Sequence, residues 1–205
     1  MNEPSKLARP RRPHKLRPSL SDLPRACAMA VALGLLALLT ACGERTPMLN
    51  SERIEAAYGS YGIEVLEAND SERIANLYSV KDGQRTMRTY AEVRFAAPVD
   101  EALRKEHALV LAGESIGEVF KSRGWTVSKR DLRIGSYLLD ESDRRIAALM
   151  RIDIPREVAL HEYALVVGRS GFETEYALIT ERHHPDYLTQ SDLEAIYGQA
   201  PKTAK

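Results

Sequence analysis

Apolar side chains follow three patterns along this chain. Residues 26–42, ACAMAVALGLLALLTAC, form one unbroken hydrophobic run. Downstream, Tyr61–Glu67, Arg73–Val80 and Arg85–Phe95 mix apolar and polar positions in the manner of half-buried strands. Lys81-Asp82-Gly83-Gln84 joins the last two of these, and its Asp-Gly pair is a strong hairpin signal. The third pattern is helical. Leu109, Ala112, Ile116, Val119 and Phe120 form one stripe within residues 101–123, behind the break at Pro98 and the capping residue Asp100. A shorter helix, SERIEAAYG, is expected from Ser51 as N-cap to Gly59 just beyond its end.

The remaining stretches fill in a sheet. Trp125–Lys129 and Leu132–Leu139 read as two short strands. In residues 144–154 the alternation of Ile146, Ala148, Met150, Ile152 and Ile154 predicts a strand, although Ile146, Leu149 and Met150 also suit a helix. Ala159–Val167 and Phe172–Arg182 form a second hairpin around Gly168-Arg169-Ser170-Gly171. Ser191 caps a last helix, DLEAIYG, and residues 199–205 form a disordered tail. The predicted class is α+β: an antiparallel sheet of about six strands with the helical segment 101–123 packed on one face.

Charge separates the N-terminal part from the rest. Residues 1–25 hold seven Lys or Arg against Glu3 and Asp22, and five prolines oppose any regular element there. The apolar run that follows spans 16 residues before Cys42, too short for a membrane-spanning helix and suited to a secretory signal. Arg11-Arg12 reads as ordinary leader charge, and so long a basic segment points to a translation start further downstream.

Leu39-Thr40-Ala41-Cys42 resembles the lipobox of bacterial lipoproteins. The resemblance implies cleavage before Cys42 and acylation of that cysteine. Several chains on one residue meet the need for more than a single acyl group in stable anchoring. Gly43 in place of aspartate implies sorting to the periplasmic face of the outer membrane. The expected organisation is a signal peptide at 1–41, a lipidated tether at 42–50 and one α+β domain at 51–198.

Beyond residue 42 the chain has 163 residues, one domain's worth, with 22 basic and 27 acidic side chains interspersed. A nucleic-acid footprint would be basic and clustered, so that partner class is disfavoured. The two cysteines are Cys27, in the leader, and Cys42, at the lipobox, so the mature domain has no disulfide, cysteine nucleophile or thiolate metal site. The expected partners are the membrane, through Cys42, and an envelope protein or cell-wall component.

The chemically suggestive stretch is His183-His184-Pro185-Asp186-Tyr187. Glu181 and His183 lie two apart on one strand face and could ligate a metal, with Asp186 as a third ligand. His107 and His161 are the other histidines of the domain. A two-residue turn at Arg169-Ser170 places position 161 opposite 178, away from 183, so the preferred reading is a polar strand end running into a proline turn, with no cofactor. There is no G-x-S-x-G, H-E-x-x-H or P-loop. Ser170 reads as turn chemistry, and Glu173 with Glu175 as a solvated face. The nine tyrosines fit half-buried sheet positions. The expected function is that of a non-enzymatic binding or accessory module. The alternative is an envelope hydrolase or metal-binding protein with its site near Glu181, His183 and Asp186.

Overall fold

The computed structural model describes residues 48–198; the leader, Cys42 and the tail after Gly198 lie outside the described residues. The described chain forms six antiparallel strands: β1 (Gly62–Ala68), β2 (Glu72–Lys81), β3 (Gln84–Phe95), β4 (Thr126–Leu139), β5 (Arg156–Arg169) and β6 (Phe172–His183). Five α-helices accompany them: α1 (Asn50–Tyr58), α2 (Arg104–Leu111), α3 (Ile116–Ser122), α4 (Arg144–Met150) and α5 (Gln190–Tyr197). None of these helices is long and apolar enough to cross a membrane.

Two hairpins set the topology. Asp82 and Gly83 both take positive φ (51° and 75°), and so do Ser170 and Gly171 (53° and 82°), the backbone a two-residue primed turn requires. The meanders β1-β2-β3 and β4-β5-β6 join where β6 pairs with β3, giving the order β1-β2-β3-β6-β5-β4. The expected α+β class and its antiparallel six-strand sheet are therefore present.

The faces of the sheet are covered unequally. Ala91, Val93 and Phe95 of β3 point to the side carrying most of the helices. There Val110 of α2 and Val119 and Phe120 of α3 pack on Val93, Phe95, Leu165 and Ile179. On that same side Ile54 of α1 meets Leu77 and Ala91, and Leu193 and Tyr197 of α5 meet Ala159. Tyr90 faces the other way and joins Leu139 and Val158 under Ile146 and Met150 of α4.

The helical segment expected at 101–123 does lie on the sheet, and it is two helices rather than one kinked one. A 3-10 turn at Glu101–Leu103, with Asp100 Oδ1 accepting the Ala102 N–H, leads into α2, and Gly113 (φ 108°) separates α2 from α3. Ala112 falls in this break and is exposed, and Val110 takes its place in the core.

Three further expectations are corrected. Residues 144–154 are not a strand: α4 occupies Arg144–Met150, because Ile146, Ala147 and Met150 at helical spacing bury one face. Arg151 in the left-handed region (φ 56°) stops it, and Ile152 and Ile154 pack beside it from the following loop, which is why the apolar positions alternate. The two strands expected at 125–139 are one, β4, interrupted by a register shift between Asp131 and Arg133 that leaves Leu132 outside the ladder. Helix α1 begins before Ser51, with Leu49 as N-cap, whose N–H donates to Glu52 Oε2 at 2.8 Å.

Candidate functional site

Strand alternation brings polar side chains together on the helix-bearing face. Odd positions of β6 supply Glu181 and His183, odd positions of β5 supply His161 and Tyr163, and Thr89 comes from β3. From β4 come Lys129 and Asp131. Asn50, the first residue of α1, closes over them. His161 exposes none of its surface, His183 1 % and Glu181 4 %.

His161 pairs directly with Glu181, not with position 178. The difference has two causes. The turn residues are Ser170-Gly171, so Arg169 faces Phe172, and a bulge between Leu165 and Val166 leaves Tyr176 unmatched. Together they slide β5 along β6 by three residues, which assembles the cluster that a turn at Arg169-Ser170 excludes. Of the three residues read as possible ligands, Glu181 and His183 come together. Asp186 does not: its side chain is 81 % exposed and approaches only His184 Nδ1, at 4.0 Å. His107 is elsewhere, bonded through Nδ1 to the Tyr176 hydroxyl at 2.8 Å. Glu175 is an exposed partner of Arg130, and Ser170 is a turn residue.

The two carboxylate oxygens of Glu181 have different surroundings. Oε1 accepts from Asn50 Nδ2 and from the Tyr163 hydroxyl, both at 3.2 Å. Oε2 faces three nitrogens outside hydrogen-bond reach: Lys129 Nζ at 3.8 Å, His161 Nδ1 at 3.9 Å and His183 Nε2 at 3.7 Å. The far side of each imidazole is fixed. His161 Nε2 lies 2.7 Å from Asp131 Oδ1, and His183 Nδ1 lies 2.9 Å from Thr89 Oγ1. Thr89 Oγ1 also accepts from Asn50 Nδ2 (3.0 Å), and Asn50 Oδ1 accepts from the Tyr187 hydroxyl (2.7 Å). The ring nitrogens that point inward, His161 Nδ1 and His183 Nε2, have no hydrogen-bond partner among the described residues.

Electrostatics favour one protonation state. Burial pushes the Glu181 carboxyl up, but Lys129, the two histidines and the Asn50 amide together hold it below its ordinary value. Burial depresses both histidines, against the opposing pull of Glu181, and brings His183 to about 4. At neutral pH the centre is one carboxylate beside two neutral imidazoles. Burial and Glu181 push the Tyr163 hydroxyl well above its usual range, so it stays a donor. Lys129 packs over the Tyr163 ring (4.0 Å) and reaches the Tyr197 hydroxyl (3.4 Å).

One cavity touches the centre. It holds about 80 Å³, is mostly apolar, and is lined by Leu49, Asn50, Leu77, Ile116, Gly117 and Glu181 among others. A methyl group on Gly117 would overlap the Leu49 side chain, so Leu49 is seated directly on α3.

His161, Lys129, Asp131, Asn50, Thr89 and Tyr163 are the members of the site missing from the candidates read in the sequence. One signal was available: in ALHEYALVV, His161 shares its parity with Ala159, Tyr163 and Leu165, which marks it as a polar group on an apolar strand face. Comparison with protein-family models, with curated proteins and with solved structures finds no match to this chain.

Proposed function

We propose that the chain is a lipid-anchored protein of the bacterial cell envelope, held through Cys42 at the periplasmic face of the outer membrane. Its α+β domain then serves as a binding or accessory module. The observation that carries this reading is the order of features in residues 1–42: a basic leader, a 16-residue apolar run, and Leu39-Thr40-Ala41-Cys42 in register behind it. Few residues separate Cys42 from Leu49, so the fold stands close to the lipid, within about 30 Å at full extension.

The geometry supports a module over a catalyst. The convergent ionisable groups His161, His183 and Glu181 are buried beneath α1 and α5, and of the three Glu181 alone borders a cavity. The adjoining cavity of about 80 Å³ is far below the roughly 300–1,000 Å³ of ordinary ligand pockets. The hydrolase alternative is weakened on the same ground. The metal-binding alternative gains from the two partnerless imidazole nitrogens.

The test is mass spectrometry of the mature N-terminus from envelope fractions, with pull-down of the intact lipoprotein from solubilised envelope. The expected product begins at an acylated Cys42, is lost in Cys42→Ala, and co-purifies with an envelope partner. An unmodified N-terminus at another residue would refute the anchor. Recovery of the acylated protein without a partner would refute the binding module.

A further inference from the structure

We infer that His161, Glu181 and His183 form a binding site for one divalent transition-metal ion of the zinc class, with Glu181 Oε2, His161 Nδ1 and His183 Nε2 as the ligand atoms. The inference concerns the folded interior and does not depend on the anchor.

The argument begins with unmet bonding capacity. His161 places its Nε2–H on Asp131 Oδ1, 2.7 Å away, so its Nδ1 carries a lone pair. That lone pair faces a carboxylate oxygen across 3.9 Å in a closed interior. Two acceptors opposed in this way are reconciled by a donor or a cation between them, and Lys129 Nζ, at 3.8 Å from Oε2, is too far to bond it. His183 Nε2 is equally unmatched: as a donor it is too far from Oε2 at 3.7 Å, and as an acceptor it repeats the His161 situation. Buried polar atoms normally find partners, and here two on adjacent strands lack them around one oxygen.

The spacing suits an ion. Atoms each about 2.0–2.2 Å from one metal at tetrahedral to trigonal angles lie about 3.3–3.8 Å apart. The carboxylate-to-imidazole separations are 3.7 and 3.9 Å, and all three ligand atoms fall within 4.8 Å of one another. One carboxylate with two imidazoles is a donor set for zinc and its neighbours rather than for calcium or magnesium, which favour oxygen.

The supporting shell has the form that metal sites use. Asp131 behind His161 is a carboxylate–histidine pair that fixes the tautomer and orients the ring. Thr89 supports His183 in the same manner. Asn50 and Tyr163 occupy Oε1 and leave Oε2 to the ion. Lys129 is the built-in competitor, since its ammonium is the cation that faces Oε2 without the metal. Its packing on Tyr163 and its reach to the Tyr197 hydroxyl give it somewhere to remain when the ion takes Oε2.

The experiment uses the full chain in detergent, stripped with chelator, then titrated with Zn²⁺ and, separately, with Co²⁺ as a spectroscopic probe. The expected result is one ion per chain, with visible Co²⁺ bands of low symmetry. His161→Gln and His183→Gln should abolish binding while far-UV circular dichroism stays native. Asp131→Asn should weaken affinity about 10- to 100-fold and shift the Co²⁺ spectrum. Lys129→Met should tighten binding about tenfold by removing a like charge. That gain sets the site apart from a structural cluster, where losing Lys129 only destabilises. If either glutamine variant fails to fold, Asp131→Asn and Lys129→Met carry the test. The inference is overturned if the wild-type chain takes up no ion at about 100 μM free Zn²⁺, or if uptake is unchanged in the His161 and His183 variants.

Discussion

Phe120 shows how one side chain can hold a helix to this sheet. It is fully buried, with its ring edge-on to Tyr176 at 4.8 Å and to Trp125 at 6.1 Å. Phe120→Ala should cost about 3–5 kcal/mol, a large part of the roughly 5–15 kcal/mol of a domain this size. The check is a urea titration in which the midpoint falls and the slope is retained. His107 gives a pH dependence. Burial depresses it despite Asp70, and its Nδ1 is bonded to the Tyr176 hydroxyl. The unfolded chain therefore binds the proton more tightly, and stability is lost as pH falls below about 6.5. In His107→Phe the acid side of the stability curve should be flatter than in wild type, as read by thermal melts from neutral to mildly acidic pH. At this scale the sequence was partly legible. Phe120 and Val119 are recognisable as core from their spacing, whereas Val110 is not, because Gly113 ends one helix inside the stripe and resets its phase.

Elements are secured here by groups that do not belong to them. The buried Arg73 of β2 sends Nη1 to the carbonyls of Val110 (3.1 Å) and Glu114 (2.7 Å), and so places a cation at the C-terminal end of α2. Arg73→Lys keeps the charge but loses the second guanidinium nitrogen, Nη2, which donates to the Gly113 carbonyl at 3.4 Å. It should lower stability by about 1.5–3 kcal/mol, measured as a urea midpoint shift. Both hairpins were readable from their Gly-containing turns, but only Asp82-Gly83 announced its own centre; the second turn is centred on Ser170-Gly171, one residue beyond the Arg169-Ser170 expected. Residues 144–154 were ambiguous because Ile152 and Ile154 continue an alternating pattern after the helix has ended, and local pattern alone does not say which apolar residues belong to an element and which to the loop beside it. Strand β4 is a 14-residue sheet edge with Leu132 and Leu138 exposed. Its bulge at Leu132 and the flanking Arg130 and Arg133 oppose edge-to-edge pairing, so Leu132 insertion into a regular ladder by deleting Arg133 should favour aggregation, seen in light scattering.

At the level of the whole molecule, the polar centre exists only because four strands, α1 and α5 meet over it. Its members span Asn50 to Tyr197, and their assembly turns on a three-residue slide of β5 along β6. The sequence exposes Glu181 and His183 as a pair but not the slide, since a bulge at Leu165 has no local signature and one residue of turn placement moves every cross-strand neighbour. The proposed metal links these parts thermodynamically. Zn²⁺ at about 100 times its dissociation constant should add about 2.7 kcal/mol, raising the melting temperature by about 5–11 °C. His183→Gln should abolish the increment in a calorimetric scan. The position of Asn50 has a mechanical meaning as well. With the proposed anchor at Cys42, any tension between membrane and protein enters the fold at Leu49 and Asn50. It is met there by the Leu49 seat on α3 and by the Asn50 amide bonds to Thr89 and Glu181. The seam that bears the load is thus the one that closes the polar centre, and a pull on the tether acts on the lid of that centre before it reaches the sheet.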